Sequence, residues 1–468
     1  MDPFIVQRTE HSLSRKSISP EALKVLYGLK EAGYVGYLAG GGVRDILLGR
    51  QPKDFDVVTD ASPNELRRIF RNCRLIGRRF RLAHVFFGRD KIIEVATFRA
   101  NQPEPEAAEG AESSDEPDSA EETLVSPAVP YNSQHIRRDD GMIVRDNLFG
   151  TQEEDALRRD FTVNALFYNI RDYSIIDYVG GLKDLEKKVL RFIGEPGLRC
   201  VEDPVRMVRA VRFAAMLGFS FDPLTEAAIR EHAPKLALAN RSRLYEEVQK
   251  LFFCKAAKRA YELLRDFGLY EMLFPELGLW LGPQKGNGEC RRIAEALNQV
   301  DEWRRDGREV SPALLFALMF GGMHEAKAGE LAEAGQHKGL ALHSVTLEHF
   351  GGLVERVQVP KAVRFRTAEI LASQPRLTAE GGRRARPLSN REFFPEAVAY
   401  LEFTVRLTGE HREVLEQALT ILDDGPGELY QDPSRGFREG RRRGRRSRSF
   451  RQRRGGNEPS AGANAGNQ

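Results

Sequence analysis

The stretch Gly40-Gly41-Gly42-Val43-Arg44-Asp45, followed nine residues later by Asp54-Phe55-Asp56, decides the fold of this chain. The segment Gly36–Ala39 before the glycines predicts a short strand, and Val43–Leu48 after them has helix character. The Val- and Ile-rich segments Phe55–Thr59 and Lys91–Phe98 predict further strands. This part of the chain therefore alternates predicted strands and helices around the glycines and aspartates.

The two aspartates predict a site for a divalent cation. Side chains alternate along a strand, so Asp54 and Asp56 point to one face, while Phe55 and Val57 point to a core on the other. Two adjacent carboxylates repel each other unless a cation lies between them. Mg²⁺ prefers oxygen ligands of this kind, and it assists phosphoryl transfer.

The glycines predict a phosphate cradle beside that cation. A strand, a glycine run and a helix leave backbone N–H groups at Gly41 and Gly42 free to face an anion. Arg44 adds a guanidinium that suits a phosphate oxygen. Each motif alone is weak, since a polar turn with two solvated acids is the ordinary alternative. The close spacing of both motifs favours nucleotide chemistry.

Two further acids have alternative interpretations. Glu94 lies in an apolar strand and is either a third metal ligand or the partner of a nearby arginine; the structural interpretation is favoured. Asp160 follows Arg158-Arg159 and is either part of the site or a salt-bridged turn.

A helix after residue 203 carries a charged face. Asp203 suits its N-cap, Pro204 its first position and Gly218 the residue past its end. Asp203, Arg206, Arg209 and Arg212 recur every three residues and share a face. They form either surface ion pairs or a guanidinium series that contacts a base and a triphosphate.

Charge is unevenly distributed along the chain. Residues 100–136 contain nine acids and no Lys or Arg. This composition predicts a disordered insertion at residues 101–136. Residues 435–454 contain eleven arginines and one acid, which predicts an unfolded tail that binds RNA backbones without sequence preference. A solubilising tail is the alternative.

The composition also indicates the cellular compartment. Four widely spaced cysteines suggest neither a zinc site nor a disulfide framework, which suits a reducing cytoplasm. No apolar run approaches the ~20 residues of a membrane helix, and the first residues lack the apolar core of a signal peptide.

Five blocks resemble the class II nucleotidyltransferase superfamily, which contains bacterial poly(A) polymerases and CCA-adding enzymes. They lie in the family's order between about Ile18 and Asn240, and they read YLAGGGVRDILLG, KDFDVVT, RRDFTVNAL, DYVGGLKDL and EDPVRMVRAVRFAA. The stretch LIGRRFRLAHV, residues 75–85, and the arginine-rich tail resemble the poly(A) polymerase branch.

The resemblance implies roles for individual residues. Asp54 and Asp56 would hold magnesium, and Asp160 would be a third essential acid. The residues implied to contact the nucleotide are Gly41, Gly42, Arg44, Arg159, Asp203, Arg206 and Arg209.

The resemblance also implies an α+β architecture with a mixed-sheet head and a helical neck and body. The expected boundaries are 18–200 for the head, 201–280 for the neck, 281–424 for the body and 425–468 for the tail.

The expected function is template-independent addition of AMP from ATP to RNA 3′ ends, with Mg²⁺, in RNA processing or decay. CCA addition to tRNA is the alternative, and a non-catalytic RNA-binding protein is a third hypothesis. The chain lacks the GK[ST] triplet of P-loop enzymes. The sequence does not indicate any protein partner.

Overall fold

The computed structural model describes residues 2–77, 81–88, 91–100, 136–137, 143–145, 149–282, 288–379 and 385–423. Residues 101–135 of the predicted acidic insertion and the whole predicted tail lie outside these ranges. Their predicted disorder, like the predicted domain boundaries, therefore stays a prediction.

An eight-stranded mixed sheet forms the first part of the chain, as expected for an α+β head. Its spatial order is β1-β10-β9-β2-β3-β6-β5-β4, and only the β3–β6 pair is parallel. The strands are β1 Phe4–Val6, β2 Gly36–Ala39, β3 Asp56–Thr59, β4 Cys73–Ile76, β5 Leu82–Phe87, β6 Lys91–Thr97, β9 Leu166–Asn169 and β10 Ile175–Asp177. Two two-stranded pairs complete the set, β7 Ile136–Arg137 with β8 Ile143–Arg145, and β11 Val189–Leu190 with β12 Ser220–Phe221.

The helices of the head are short, and polar side chains cap several of them. They are α1 Pro20–Glu31, α2 Gly41–Leu47, α3 Pro63–Ile69, α4 Gln152–Leu157, α5 Gly181–Lys187 and α6 Pro196–Glu202. Ser62 accepts from the Glu65 N–H, and the Glu65 carboxylate accepts from the Ser62 N–H, so a capping box starts α3 with Pro63 at its first position.

From residue 205 the described chain is almost entirely helical. The helices are α7 Val205–Leu217, α8 Pro223–His232, α9 Arg241–Phe252, α10 Ala257–Asp266, α11 Leu269–Leu273, α12 Pro275–Leu281, α13 Gly288–Arg305, α14 Pro312–Glu333, α15 Lys338–Leu353, α16 Lys361–Leu377, α17 Ala385–Ser389, α18 Phe394–Thr408 and α19 Arg412–Asp423. Of these, α14 is apolar around its first three turns because α13, α15, α16 and α18 all pack against it. No helix in the described ranges is both long and apolar enough to span a membrane.

The two faces of the sheet have different environments, and this difference positions the site. Leu38, Val57 and Val95 pack into the core beneath α1 and α3. On the other face Ala39 and Val58 pack in a smaller cluster with residues of α4 and of the β9–β10 hairpin. Asp56 shares this second face, since side chains alternate along β3.

The predicted N-cap of α7 is wrong. Asp203 ends α6 with φ −149° and ψ 89°, Pro204 is the N-cap residue and α7 begins at Val205. The Asp203 carboxylate is drawn to Arg243 of α9 instead of the first N–H groups of α7. The predicted end is confirmed, because Gly218 terminates α7 with φ 73°.

Candidate active site

Asp54 and Asp56 lie at the start of β3 with their side chains exposed. The strand begins at Asp56, one residue later than predicted, so Asp54 belongs to the loop before it. Phe55 and Val57 pack into the core beneath α1 and α3, as predicted. A Cβ added to Gly42 would lie 3.6 Å from the Asp54 carbonyl oxygen, so the glycines and the aspartates are neighbours.

The Asp56 carboxyl has an unusual environment. Although Asp56 keeps contact with solvent, the protein around its carboxyl, and then the Glu94 carboxylate, raise its pKa to about 6. Asp54 raises that pKa further, and the Arg159 guanidinium opposes the shift. Several negative charges therefore converge on one place, and their mutual repulsion is what a bound cation relieves.

The donor set fits a divalent cation that also binds substrate oxygens. Among the described residues no group of three His, Cys, Asp or Glu side chains is arranged to hold a metal ion. Mg²⁺ is commonly held by one or two carboxylates together with substrate phosphates and water. Asp54 and Asp56 supply such a pair.

The glycines turn the chain sharply between β2 and α2. Gly40 has φ 69°, a conformation that L side chains rarely adopt, and its N–H donates to the Leu166 carbonyl of β9. A Cβ on Gly40 would lie 3.0 Å from Nη1 of Arg159. Arg159 is fixed there by Asp155, 2.9 Å from its Nη2, and by the Asn164 carbonyl. Arg159, which is predicted to contact the nucleotide, thus lies beside Gly40, and its charge acts on the Asp56 carboxyl.

Arg44 is buried, although the predicted contact with a phosphate suggests an exposed side chain. Its guanidinium is 3% exposed, contacts Asp45 at 2.7 Å and donates to the Asn164 side chain. It also lies 5.2 Å from the centre of the Phe213 ring of α7. Arg44 therefore joins α2 to the neck helix.

Asp160 is the centre of an arginine cluster, which we define as Asp160, Glu202, Arg199, Arg206 and Arg209. Its carboxylate accepts from Arg206 Nε at 3.0 Å and from Arg209 Nε at 2.7 Å. Burial alone would raise the pKa of Asp160, but the three arginines outweigh burial and hold that pKa far below its usual range. Glu202 accepts from Arg199 and Arg206, which balances the remaining charge.

The other members of the charged face of α7 are paired as well. Both oxygens of Asp203 accept from Arg243, at 3.0 and 2.7 Å. Arg212 pairs with Glu247 of α9 and lies 4.3 Å from the centre of the Phe213 ring. Ion pairs therefore order this guanidinium series, and its contact with a base and a triphosphate stays a prediction. Within that series the Arg209 side chain is 32% exposed and the Arg206 side chain 11%.

Sequence reasoning missed several partners in this region. Phe213, Asn164 and Glu202 stand inside the quoted blocks, but nothing in their type marked them as more than core or polar residues. Arg243 and Glu247 stand outside every block, and only the packing of α9 on α7 reveals their contacts.

Glu94, for which a structural role was favoured, lies beside the carboxylate pair. The β3–β6 register pairs Val57 with Val95, which places Glu94 next to Asp56. Glu94 Oε1 lies 3.5 Å from His84 Nε2, and no arginine within the described ranges forms an ion pair with Glu94.

Comparisons with known proteins cover most of the chain. A family model described as the poly A polymerase head domain matches residues 36–191. A probable RNA and SrmB-binding site of polymerase A matches residues 218–281, and a polymerase A arginine-rich C-terminus matches residues 334–454. The similarity therefore extends well beyond Asn240.

Named relatives agree with these matches. The chain is 41% identical over 407 residues to Poly(A) polymerase I of Salmonella typhimurium, covering 86% of this chain and 82% of that protein. It is 34% identical over 253 residues to the CCA-adding enzyme of Bacillus subtilis, covering 54% and 55% of the two chains. The Bacillus stearothermophilus CCA-adding enzyme in complex with CTP superimposes with a TM-score of 0.57 at 26% identity, over 87% of this chain and 83% of that one. The identity and coverage together show that the chain belongs to the bacterial poly(A) polymerase family.

Proposed function

We propose that this protein transfers AMP from ATP to the 3′ hydroxyl of RNA, with release of pyrophosphate and without a template. The observation that carries the proposal is the Asp54–Asp56 pair beside the glycine turn, with the pKa of Asp56 raised to about 6. The relatives named Poly(A) polymerase I support adenylate addition over CCA addition, since the CCA-adding relative is less identical and matches less of the chain.

In this proposal Asp54 and Asp56 hold Mg²⁺. A bound magnesium ion supplies positive charge that polarises the attacking hydroxyl and neutralises the leaving pyrophosphate. The carboxylates orient the ion toward the glycine turn, where the first N–H groups of α2, at Gly41 and Gly42, lack partners within the helix. Arg159, beside Gly40, contributes a cation on the same side.

The arginine cluster would form the nucleotide side of the site. Arg209 is its more exposed guanidinium on α7 and suits a contact to the substrate. Arg206 and Asp203 are the residues that the family resemblance assigns to the incoming base. Asp160 and Arg44 act as positioning residues in this assignment, because their charged atoms are paired within the protein.

RNA binding beyond the active site is assigned to the helical part and the tail. The matched models named for RNA binding and for an arginine-rich C-terminus support this assignment. The tail would bind phosphates by releasing their counterions, so RNA affinity should fall with salt. The four cysteines form no disulfide in the described part of the chain, which fits the proposed cytoplasmic setting.

One experiment tests the metal assignment. Asp54→Ala and Asp56→Ala should each abolish ATP-dependent extension of a short unstructured RNA, while RNA binding persists. Glu31→Ala, which removes an exposed carboxylate at the end of α1, is the matched control and should retain activity. Extension within a few-fold of wild type in either aspartate variant would refute the assignment.

The same gel separates the alternative functions. Long ladders with ATP alone support poly(A) addition. Incorporation from CTP that stops after a few nucleotides would indicate CCA addition. Binding without extension by the wild-type protein would indicate a non-catalytic RNA-binding protein.

A further inference from the structure

Four polar side chains form a line across the open face of the sheet. Antiparallel register pairs His84 of β5 with Glu94 of β6, and Arg74 of β4 with His84. Cross-strand partners share a face, and Glu94 lies beside Asp56. We call Asp56, Glu94, His84 and Arg74 the polar row.

The polar row changes sign from the site toward the sheet edge. Two carboxylates lie at the site end, then an imidazole, then a guanidinium. His84 Nε2 is 3.5 Å from Glu94 Oε1. Arg74 is exposed, its guanidinium lies 5.5 Å from the centre of the Phe86 ring, and no carboxylate among the described residues pairs with it.

Apolar side chains surround the basic end of the polar row. Ile76 and Ile92 share this face and are each 45% exposed, and Phe86 is half-buried between the strands. α3 packs on the opposite face, where Leu66 joins Ala83 and Val85 in the core. A surface of cations, aromatic rings and exposed apolar groups is typical of single-stranded nucleic acid binding.

The geometry of phosphoryl transfer indicates which reactant binds on this surface. Attacking and leaving oxygens lie roughly in line on opposite sides of the phosphorus atom. Gly40 and Arg159, the groups proposed for the phosphates, lie on the β2–β9 side of Asp56. The attacking hydroxyl must then approach from the β6–β5 side, where the polar row continues.

We propose that His84 and Arg74 form a subsite for the 3′-terminal nucleotides of the acceptor RNA. Arg74 donates to a phosphodiester oxygen near the end of the strand, and His84 holds the terminal nucleotide next to Glu94. This inference rests on the proposed adenylyl transfer, because it uses that reaction to place the hydroxyl. It also gives a physical role to His84, which lies in the stretch that resembles the poly(A) polymerase branch.

The test measures KM for RNA and KM for ATP separately in the full-length protein. With a short oligoadenylate as acceptor, Arg74→Ala and His84→Ala should each raise KM for RNA about five- to tenfold and leave KM for ATP unchanged. Arg74→Ala should also flatten the dependence of log KM for RNA on log salt by roughly 0.7, the value for one lost contact to a single strand.

Arg67→Ala is the matched control, since Arg67 is an exposed arginine on α3, on the other side of the sheet. It should change neither KM. Equal KM values for RNA in Arg74→Ala and wild type would overturn the subsite, and so would a rise confined to KM for ATP. Circular dichroism must show that each variant is folded. An inactive wild-type protein would refute the proposed function instead, so the two failures are distinguishable.

Discussion

Asp160 shows how a single half-buried carboxylate can hold several guanidiniums in place. Burial disfavours its charge, yet Arg209, Arg206 and Arg199 more than compensate and keep it ionised. Two of those guanidiniums, Arg199 and Arg206, share a second carboxylate, that of Glu202. Removing one charge therefore leaves buried cations close together, which costs far more than the original pair contributes.

Asp160→Asn should impair both the nucleotide site and the fold. Breaking a buried ion pair by removing one partner costs about 3–5 kcal/mol, and the freed Arg206 and Arg209 would leave their present positions. We expect KM for ATP to rise more than tenfold and the melting temperature to fall, as measured by steady-state kinetics and thermal unfolding.

Asp306→Asn makes the same chemical change at an exposed position after α13 and should leave both readouts unchanged. A variant at Asp160 with normal stability, normal KM for ATP and lost turnover would contradict the positioning role. That result would indicate direct participation of Asp160 in the chemistry.

At the scale of elements, the block DYVGGLKDL, residues 177–185, forms a turn and a helix that support the chain around Asp160. Asp177 accepts from the N–H groups of Val179, Gly181 and Leu182 at about 3 Å and so fixes the start of α5. Asp184 of α5 accepts from the Thr162 hydroxyl at 2.7 Å. Gly181 fits against the backbone of Thr162, two residues after Asp160.

Gly181→Ala should displace α5 from the backbone of Thr162. The added Cβ would lie 2.2 Å from the Thr162 carbonyl oxygen, so one backbone segment must move. We expect a loss of stability of about 1–3 kcal/mol, as for other overpacked sites, together with reduced ATP-dependent extension. Thermal unfolding and the extension gel measure the two effects.

Gly351→Ala is the control for the glycine substitution. Gly351 lies within α15 with nothing within 4 Å of an added Cβ, so alanine should be neutral or slightly stabilising there. Equal melting temperatures in the two variants would contradict the proposed contact between α5 and the Asp160 turn.

Elements with a strong local signal could be predicted from the sequence. The strand Gly36–Ala39 agrees with β2, and Lys91–Phe98 is one residue longer than β6. Capping residues act within a single turn, so Ser62 and Pro63 mark the start of α3 in the sequence itself. The polar turn Arg171-Asp172 is a local signal as well, and it lies between the paired strands β9 and β10.

Elements that depend on distant contacts could not be predicted. β1 is three residues long and pairs with β10, more than 160 positions away. The arginine-rich residues 75–85 read as a family signature, although β4 and β5 include most of them. The position of Glu94 beside Asp56 depends on the β3–β6 register, which no local sequence pattern contains.

At the scale of the whole molecule, the helical body contains a buried pair of histidines far from the proposed chemistry in sequence. His324 of α14 and His349 of α15 lie 3.0 Å apart between ring nitrogens, and the Thr346 hydroxyl contacts His324. Both rings pack against Phe320. Burial lowers the pKa of His349 to about 4 and that of His324 well below its usual value.

These shifts make the body sensitive to mild acid. A histidine whose pKa is lowered in the folded state does not reduce the free energy of unfolding above pH 6.5, where it is neutral in both the folded and the unfolded chain. As pH falls from about 6.5 toward 4, the unfolded chain takes up protons that the folded chain refuses, so stability is lost. For His349 alone, the change from 6.5 to about 4 corresponds to roughly 2 kcal/mol at about pH 5.

The decisive comparison is the difference in urea midpoint between pH 7.5 and pH 5 for wild type and His349→Gln. Trp280 and Trp303 are the two tryptophans of the chain and lie on α12 and α13, so their fluorescence reports unfolding of the helical part. Glutamine keeps a polar contact to His324 but cannot take up a proton, so the variant should lose less stability in acid. His337→Gln, at an exposed position before α15, should behave as wild type. If all three proteins lose the same stability, the titrating groups lie elsewhere, because the buried pair is the only feature that His349→Gln changes and His337→Gln does not.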